Sequence, residues 1–365
     1  MRSVAILGTG LIGGSIGLGL RAAQPGMSVV GYDADPSAAE RALDIGAIDD
    51  VGPSPQDAVE DADVTVLAMP VDRVVSACRV LEGAVPESAV ITDVASAKSE
   101  VVAAGERSFG GSFVGGHPMA GSETQGIDAA HARLFENARW ILTPTAKTSV
   151  SAYSTVAELV TLLRARPVAL DPRVHDSLVA RLSHVPQLAA SALVDVAAEP
   201  GDRATLLDLA AGGFRDVTRI AASSPDLWVT ILRSNQAAVL EALDELRGRL
   251  AEIAAMISEA RWGDLRLFLH RARQARVELG ATRHYGGAPV RLSVLAPDRP
   301  GVVAEVTTAA GRLGANIQNV TMVDSTEGCR GRLDMVVAGE ERAGLVVAAL
   351  RDLGYRVDRS EPISK

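Results

Sequence analysis

The chain has 365 residues, 47% of them hydrophobic and 22% charged, with a formal net charge of −9. That length exceeds a single core and predicts two or three domains. The acidic balance, without blocks of like charge, argues against nucleic acid or an anionic membrane surface as partner.

Two cysteines at unrelated positions, Cys78 and Cys329, make no disulfide framework. Six histidines show no HExxH-type spacing, so no metal is expected. The start, "MRSVAILG", enters a strand at once without a signal-peptide pattern, and no apolar run is long enough to span a bilayer. The cytoplasm is the expected compartment.

From residue 1 to about 148, short β-branched runs alternate with helical patterns. The strands read "SVAILG", "SVVGYD", "DVTVLAMP", "SAVITDVA" and "SFVGG". This alternation predicts an α/β doubly wound parallel sheet.

The first strand runs into "GTGLIGGSIG", where Gly8, Gly10 and Gly13 form G-x-G-x-x-G at a helix start. Gly8 serves the tight turn, Gly10 lets backbone approach a pyrophosphate, and Gly13 allows close helix–strand packing. Thr9, Leu11 and Ile12 complete the loop, whose free N–H groups face the phosphates. Asp33 ends the second strand, twenty residues past Gly13. A carboxylate there accepts from a ribose diol and repels a 2′-phosphate, so NAD is favoured over NADP. Met69 and Pro70 close "DVTVLAMP" on the same sheet edge and join the cofactor-binding set. Residues 1–148 are thus expected to be a Rossmann-type NAD-binding domain.

Two further strands end near chemistry. Ser96 follows "SAVITDVA", and His117 follows "SFVGG" in "GGHPMAG". Strand C-termini share the ligand-binding edge of such a sheet, which places both near the reacting end of a dinucleotide. Pro118 biases His117 toward extended backbone, and the surrounding glycines leave room for a ligand. An imidazole titrating near neutrality suits a base that takes a hydroxyl proton. The alternatives are a turn histidine and a helix-capping serine.

Residues 149–284 read as all-α, with helices over about 151–165 and 173–198, the latter containing Pro186. Another starts at "SSPDLW", with Ser224 as cap and Pro225 in the first turn, and continues to about residue 260. "HYGGAP", 284–289, is a linker. Residues 288–365 then read βαββαβ, a ferredoxin-like split-βαβ module.

Several separated segments, in order, resemble the prephenate dehydrogenase family of tyrosine biosynthesis: "GLIGGSIG", "TDVASAK", "GGHPMAGSE", "HDSLVARLSHVPQ" and "GGFRDVTRIAASSPDLW". The tail, with "LAPDRPGVVAEV" and "GANIQNV", resembles an ACT domain. The resemblance implies NAD-dependent oxidative decarboxylation of prephenate, with His117 as base and Ser96 orienting the hydroxyl. It implies substrate contacts from Arg219, Ser122, Glu123 and Trp228. The alternatives are an Arg219–Asp216 pair and a core role for Trp228.

His175 and His184 stand nine residues apart, about half a turn out of phase on a straight helix. Both cannot face one pocket without distortion, for which Pro186 is a candidate cause. Ser183, His184 and Gln187 are taken as pocket-facing, and His175 as having a local or domain-interface role. Some family members carry histidine where Gln187 stands, which leaves prephenate and L-arogenate both open as substrates. An L-arogenate or dual-specificity cyclohexadienyl dehydrogenase is the nearest alternative, and a non-catalytic NAD and amino-acid sensor the more distant one. The ACT resemblance implies an aromatic amino-acid effector, L-tyrosine first, bound through Asp298, Gly301, Asn316 and Ile317. A homodimer is expected from the helical block and the ACT module.

Overall fold

The computed structural model describes residues 1–121, 124, 126–198, 210–281, 289–297, 299–315, 317–323 and 330–359. Ser122, Glu123, Asp298 and Asn316 lie outside the described residues. The chain divides into two compact units, one made of 1–175 with 285–365 and the other of 176–284.

The first unit opens with β1 (Ser3–Leu7), α1 (Leu11–Ala23), β2 (Ser28–Tyr32), α2 (Pro36–Asp44), β3 (Asp50–Val51) and α3 (Pro55–Val59). It continues through β4 (Val64–Leu67), α4 (Val71–Val80), β5 (Val90–Asp93), α5 (Ser99–Phe109), β6 (Phe113–Pro118), β7 (Arg139–Thr143), α6 (Val150–Leu162) and β8 (Arg166–Ala169). These strands form one sheet in the order β3-β2-β1-β4-β5-β6-β7-β8. Strands β1 to β6 are parallel where they pair, whereas β7 runs antiparallel to β6 and β8 parallel to β7.

The central strands are buried on both faces, as parallel strands between helical layers must be. In β1, Val4 and Ile6 enter one core while Ala5 and Leu7 enter the other. Each such aliphatic side chain contributes about 1.5–3 kcal/mol on full burial.

The expected domain end at residue 148 falls inside this unit. Helix α6 buries Ala152, Tyr153, Val156, Leu159 and Val160, and β8 adds a strand to the sheet. The helix expected over 151–165 therefore belongs here, not to the all-α block. Strands β7 and β8 were not legible as strands, and neither was the two-residue β3.

The C-terminal module comprises β9 (Pro289–Pro297), β10 (Ile317–Val323), β11 (Arg330–Ala338) and β12 (Arg356–Arg359), antiparallel in the order β10-β11-β9-β12. On β9, Val290, Leu292, Val294 and Ala296 are buried at alternate positions, the period of a strand with one covered face. Strand β10 packs on α6 and β8, and the helix Val302–Arg312 packs on α6. The module's core is thus continuous with that of the sheet.

Helix α7 (Pro172–Val179) leads into the second unit. There follow α8 (Val185–Ala197), α9 (Gly212–Thr218), α10 (Pro225–Ser234), α11 (Gln236–Ser258) and α12 (Trp262–Ala281). In the C-terminal module, Val302–Arg312 is α13 and Glu340–Asp352 is α14. The second unit's core is small, with Ala180, Val185, Val239 and Ala242 buried against Leu188, Leu232, Ala238 and Leu246. Leu182, Val196, Leu240, Leu250, Trp262, Leu267, Leu269 and Val277 remain exposed.

Two distortions shape this unit. Ala180–His184 is a π-helical turn, with the Val185 N–H donating to the Ala180 carbonyl. Pro186 follows directly and has no N–H to serve residue 182, which removes the competing α-helical bond. The single helix expected from 224 to 260 is broken at Asn235, whose backbone (φ −123°, ψ 29°) leaves the helical range. Asn235 is buried, and its Nδ2 donates to the Asp176 carbonyl at 2.9 Å, a bond that a straight helix would forgo.

Candidate active site

Gly8, at φ +99°, closes the turn after β1 in a conformation that glycine adopts without strain. A Cβ there would meet the Ala68 carbonyl at 2.3 Å, so the turn lies against the loop carrying Met69 and Pro70. A Cβ on Gly13 would strike the Gly8 carbonyl, whereas Gly10 faces open space. The glycines therefore divide the work as their spacing implies: two for close packing, one for access.

Asp33 anchors this loop. Its Oδ2 accepts from the Thr9 N–H at 2.7 Å and the Thr9 hydroxyl at 3.3 Å, and its Oδ1 accepts from the Asp35 N–H at 3.0 Å. The carboxylate thus fixes the glycine turn. Leu11 and Ile12 open α1. The crossover from β1 to β4 puts Gly8, Met69 and Pro70 at the topological switch point, where open α/β sheets hold ligands. These residues fit a dinucleotide.

His117 departs from expectation in one respect. It is not a loop residue but the penultimate position of β6, paired in register with Ile141 of β7. Nor do the preceding glycines leave room for a ligand. A Cβ on Gly115 would meet Thr143 Oγ1 at 2.4 Å, and one on Gly116 the Asp93 carbonyl at 2.5 Å. Both are consumed by packing inside the sheet, and only Gly121 faces open space. The strand holds the imidazole rigidly, which suits a group whose aim matters.

The Ser96 loop is tied to this strand by a buried ion pair. Lys98 Nζ donates to Asp93 Oδ2 and, at 2.6 Å, to the Gly116 carbonyl. Asp93 in turn accepts from the Gly116 N–H at 3.0 Å and the Ala95 N–H at 2.8 Å. Lys98 and Asp93 are both fully buried. The loop bearing half-buried Ser96 is thereby clamped to the residue preceding His117. The lysine of "TDVASAK" acts here as an internal brace, a role that spacing alone does not disclose.

His175, left aside by the helical-phase argument, is at the site. Its Nε2 lies 2.8 Å from His117 Nδ1, with the two rings edge to face at 73°. Helix α7 presents it from a capped first turn, where Asp171 Oδ1 accepts from the Arg173 and Val174 N–H groups.

Within the second unit, His184 and Gln187 are buried and Ser183 is exposed. His184 packs edge to face on Trp228, centroids 5.9 Å apart, and its Nδ1 lies 3.3 Å from Asn235 Nδ2. An amide nitrogen only donates. His184 Nδ1 is therefore the acceptor, and the neutral ring carries its proton on Nε2. Arg219 is exposed and begins a 3-10 turn after α9.

At the C-terminal module, the Gly301 N–H, expected to meet an effector carboxylate, donates instead to the Thr148 carbonyl at 2.9 Å. Arg299 pairs with Glu305 and reaches the Tyr355 hydroxyl. Burial, with the hydrogen bond to Glu305, pushes the Tyr355 phenol up to about 12. Ile317 opens β10 and is buried. Cys78 is buried in the sheet core, and that burial pushes its thiol up to about 12, away from nucleophilic use. No helix among the described residues is long and apolar enough to cross a membrane.

Three family models match the chain. "Prephenate dehydrogenase, nucleotide-binding domain" covers residues 16–169, "Prephenate dehydrogenase, dimerization domain" 171–271, and "ACT domain" 290–355. The prephenate dehydrogenase of Bacillus subtilis (strain 168) is 34% identical over 337 residues, 91% of each chain. The cyclohexadienyl dehydrogenase of Zymomonas mobilis is 32% identical over 260 residues, 70% of this chain and 89% of that one. Among solved structures, prephenate dehydrogenase from A. aeolicus in complex with hydroxyphenyl propionate and NAD+ superposes with a TM-score of 0.72 at 32% identity. It covers 76% of this chain and 98% of its own. Synechocystis arogenate dehydrogenase gives 0.69 at 30% identity, over 76% and 100%. With a Rossmann-like sheet, a helical unit and an ACT domain in this order, the chain belongs to the prephenate dehydrogenase family of NAD-dependent oxidoreductases.

Proposed function

We propose that this chain converts prephenate and NAD+ to 4-hydroxyphenylpyruvate, CO2 and NADH in the making of tyrosine, as a cytoplasmic homodimer. The observation that carries the reading is His117, fixed at the ligand edge of β6 beside the clamped Ser96 loop. The bound nicotinamide supplies the hydride acceptor. Ser96 orients the ring hydroxyl toward His117 Nε2. His117 takes the hydroxyl proton as hydride leaves the carbon that bears it. The bond to the ring carboxylate then breaks, its electron pair completes the aromatic ring, and CO2 departs. The proton returns to the ring oxygen, so atoms and charge balance.

Arg219 pairs with a substrate carboxylate and acts by positioning. An ion pair stronger with the carboxylate than with departing CO2 would slow cleavage of the ring carboxylate. Trp228, His184, Ser183 and Gln187, with Ser122 and Glu123, complete the substrate set. Gln187 is a neutral amide and accepts either a keto acid or an amino acid nearby, so L-arogenate is the second substrate to test. The exposed aliphatic side chains of α11 and α12 support pairing of two helical units. The ACT domain supports an aromatic amino-acid effector, L-tyrosine first.

The test is the purified chain with NAD+ and either prephenate or L-arogenate, following NADH. Turnover with prephenate is expected, and no turnover with either ends the reading. L-Tyrosine is expected to inhibit without competing with prephenate. Purely competitive inhibition would remove the ACT domain from regulation.

A further inference from the structure

His117 can act as a base only through a nitrogen that carries a lone pair. Its Nδ1 lies 2.8 Å from His175 Nε2, so one of these two atoms holds the shared proton. If His175 donates, the neutral His117 ring carries its own proton on Nε2 and has nothing to offer a hydroxyl. If His117 donates, its Nε2 is free of a proton and ready to accept one.

We propose that His175 is a positioning residue for the reaction: its Nε2 accepts the Nδ1 proton of His117 and so fixes the tautomer in which His117 is a base. This rests on the reading of His117 as the proton acceptor. The geometry favours a purpose-built pair. His175 is fully buried, and His117 is held in a strand paired on the β7 side and tied through Gly116 to Lys98 and Asp93. The edge-to-face rings point one nitrogen at the other without stacking. The contact also strengthens as the reaction proceeds. Once His117 takes the hydroxyl proton, a neutral N–H···N bond becomes a charge-assisted one. An interaction stronger in the transition state than in the ground state lowers the barrier.

The experiment compares full-length wild type, His175→Leu, His175→Gln and His117→Asn with NAD+ and prephenate. Leucine removes the acceptor, while glutamine places an amide oxygen near the position of Nε2. His175→Leu is expected to lose on the order of 100-fold in kcat, within the range of general base catalysis, with KM values within about 3-fold. His175→Gln is expected to recover to within about 10-fold of wild type.

A His175→Leu enzyme within about 3-fold of wild-type kcat overturns the proposal, and so does an equal loss in folded leucine and glutamine variants. Should His175→Leu not fold, nitrogen NMR of [15N]histidine-labelled wild type decides. The His117 ring, assigned by the signal that His117→Asn removes, is expected to be protonated on Nδ1; protonation on Nε2 overturns the proposal. Full activity of His117→Asn sinks the underlying reading of the base, a result distinct from failure of the His175 variants alone.

Discussion

The Gly301 N–H donates to the carbonyl of Thr148, joining the first turn of the ACT domain's α13 to the segment between β7 and α6. Gly301 has φ +84°, and a Cβ there would stand 2.6 Å from the Ala146 carbonyl. Gly301→Ala is therefore expected to cost about 1–3 kcal/mol from backbone strain and to lower Tm by several degrees. Hydrogen exchange should quicken over residues 144–149 and 300–306. An amino-acid carboxylate that claims this amide must displace Thr148, so an effector acting there should quicken exchange over 144–149 in wild type.

Asp33 anchors the glycine turn, and its expected second role, toward a ribose diol, separates effects on affinity from effects on selectivity. Asp33→Ser should weaken NAD+ binding by about 10-fold or more, because the carboxylate hydrogen bonds to Thr9 are lost with the ribose contact. It should also raise the NADP+/NAD+ preference, because repulsion of the 2′-phosphate goes with it. Titration of both cofactors against intrinsic fluorescence measures the two together.

The Lys98–Asp93 pair predicts a strongly non-additive cycle. Lys98→Met leaves a buried carboxylate without its cation and should cost about 3–5 kcal/mol in urea unfolding. Asp93→Asn with Lys98→Met should cost less than the sum of the single changes. Loss of kcat in Lys98→Met, with NAD+ affinity kept, would report the clamp's hold on the Ser96 loop and His117.

Asn235→Leu should remove the bond to the Asp176 carbonyl and release His184 Nδ1. A loss of about 1–3 kcal/mol is expected from the buried hydrogen bonds removed. The nitrogen signals of the His184 ring should shift as its Nδ1 contact is lost, which the same histidine-labelled NMR would detect.

Where pattern and chemistry coincide, the sequence discloses the fold well. Gly8, Gly10, Gly13 and Asp33 are local, and their spacing carries their geometry. Strand β7 escapes because it returns antiparallel to β6 and so breaks the βα alternation, and β8 because its four residues, RPVA, include Pro167, a poor strand former. His117 reads as a loop residue because Pro118 and the glycines look like turn formers. Pairing with β7, a long-range fact, makes the site a strand instead. His175 is set aside by an argument about one helix, and what brings it in is a neighbour 58 positions earlier in the chain. The break at Asn235 is hidden because a buried amide bond to Asp176 outweighs a good helical pattern.

The first unit is assembled from two separate stretches of the polypeptide, 1–175 and 285–365, with the helical unit encoded between them. During synthesis the face of α6 and β8 that receives β10 is made more than a hundred residues before its cover. Until the last strands emerge, that apolar surface waits on the ribosome without its partner, the condition under which nascent chains aggregate or engage chaperones. The C-terminal domain is thus a late-arriving closure of the nucleotide-binding sheet. Stalled or truncated chains ending before residue 289 should be less soluble than the 365-residue chain.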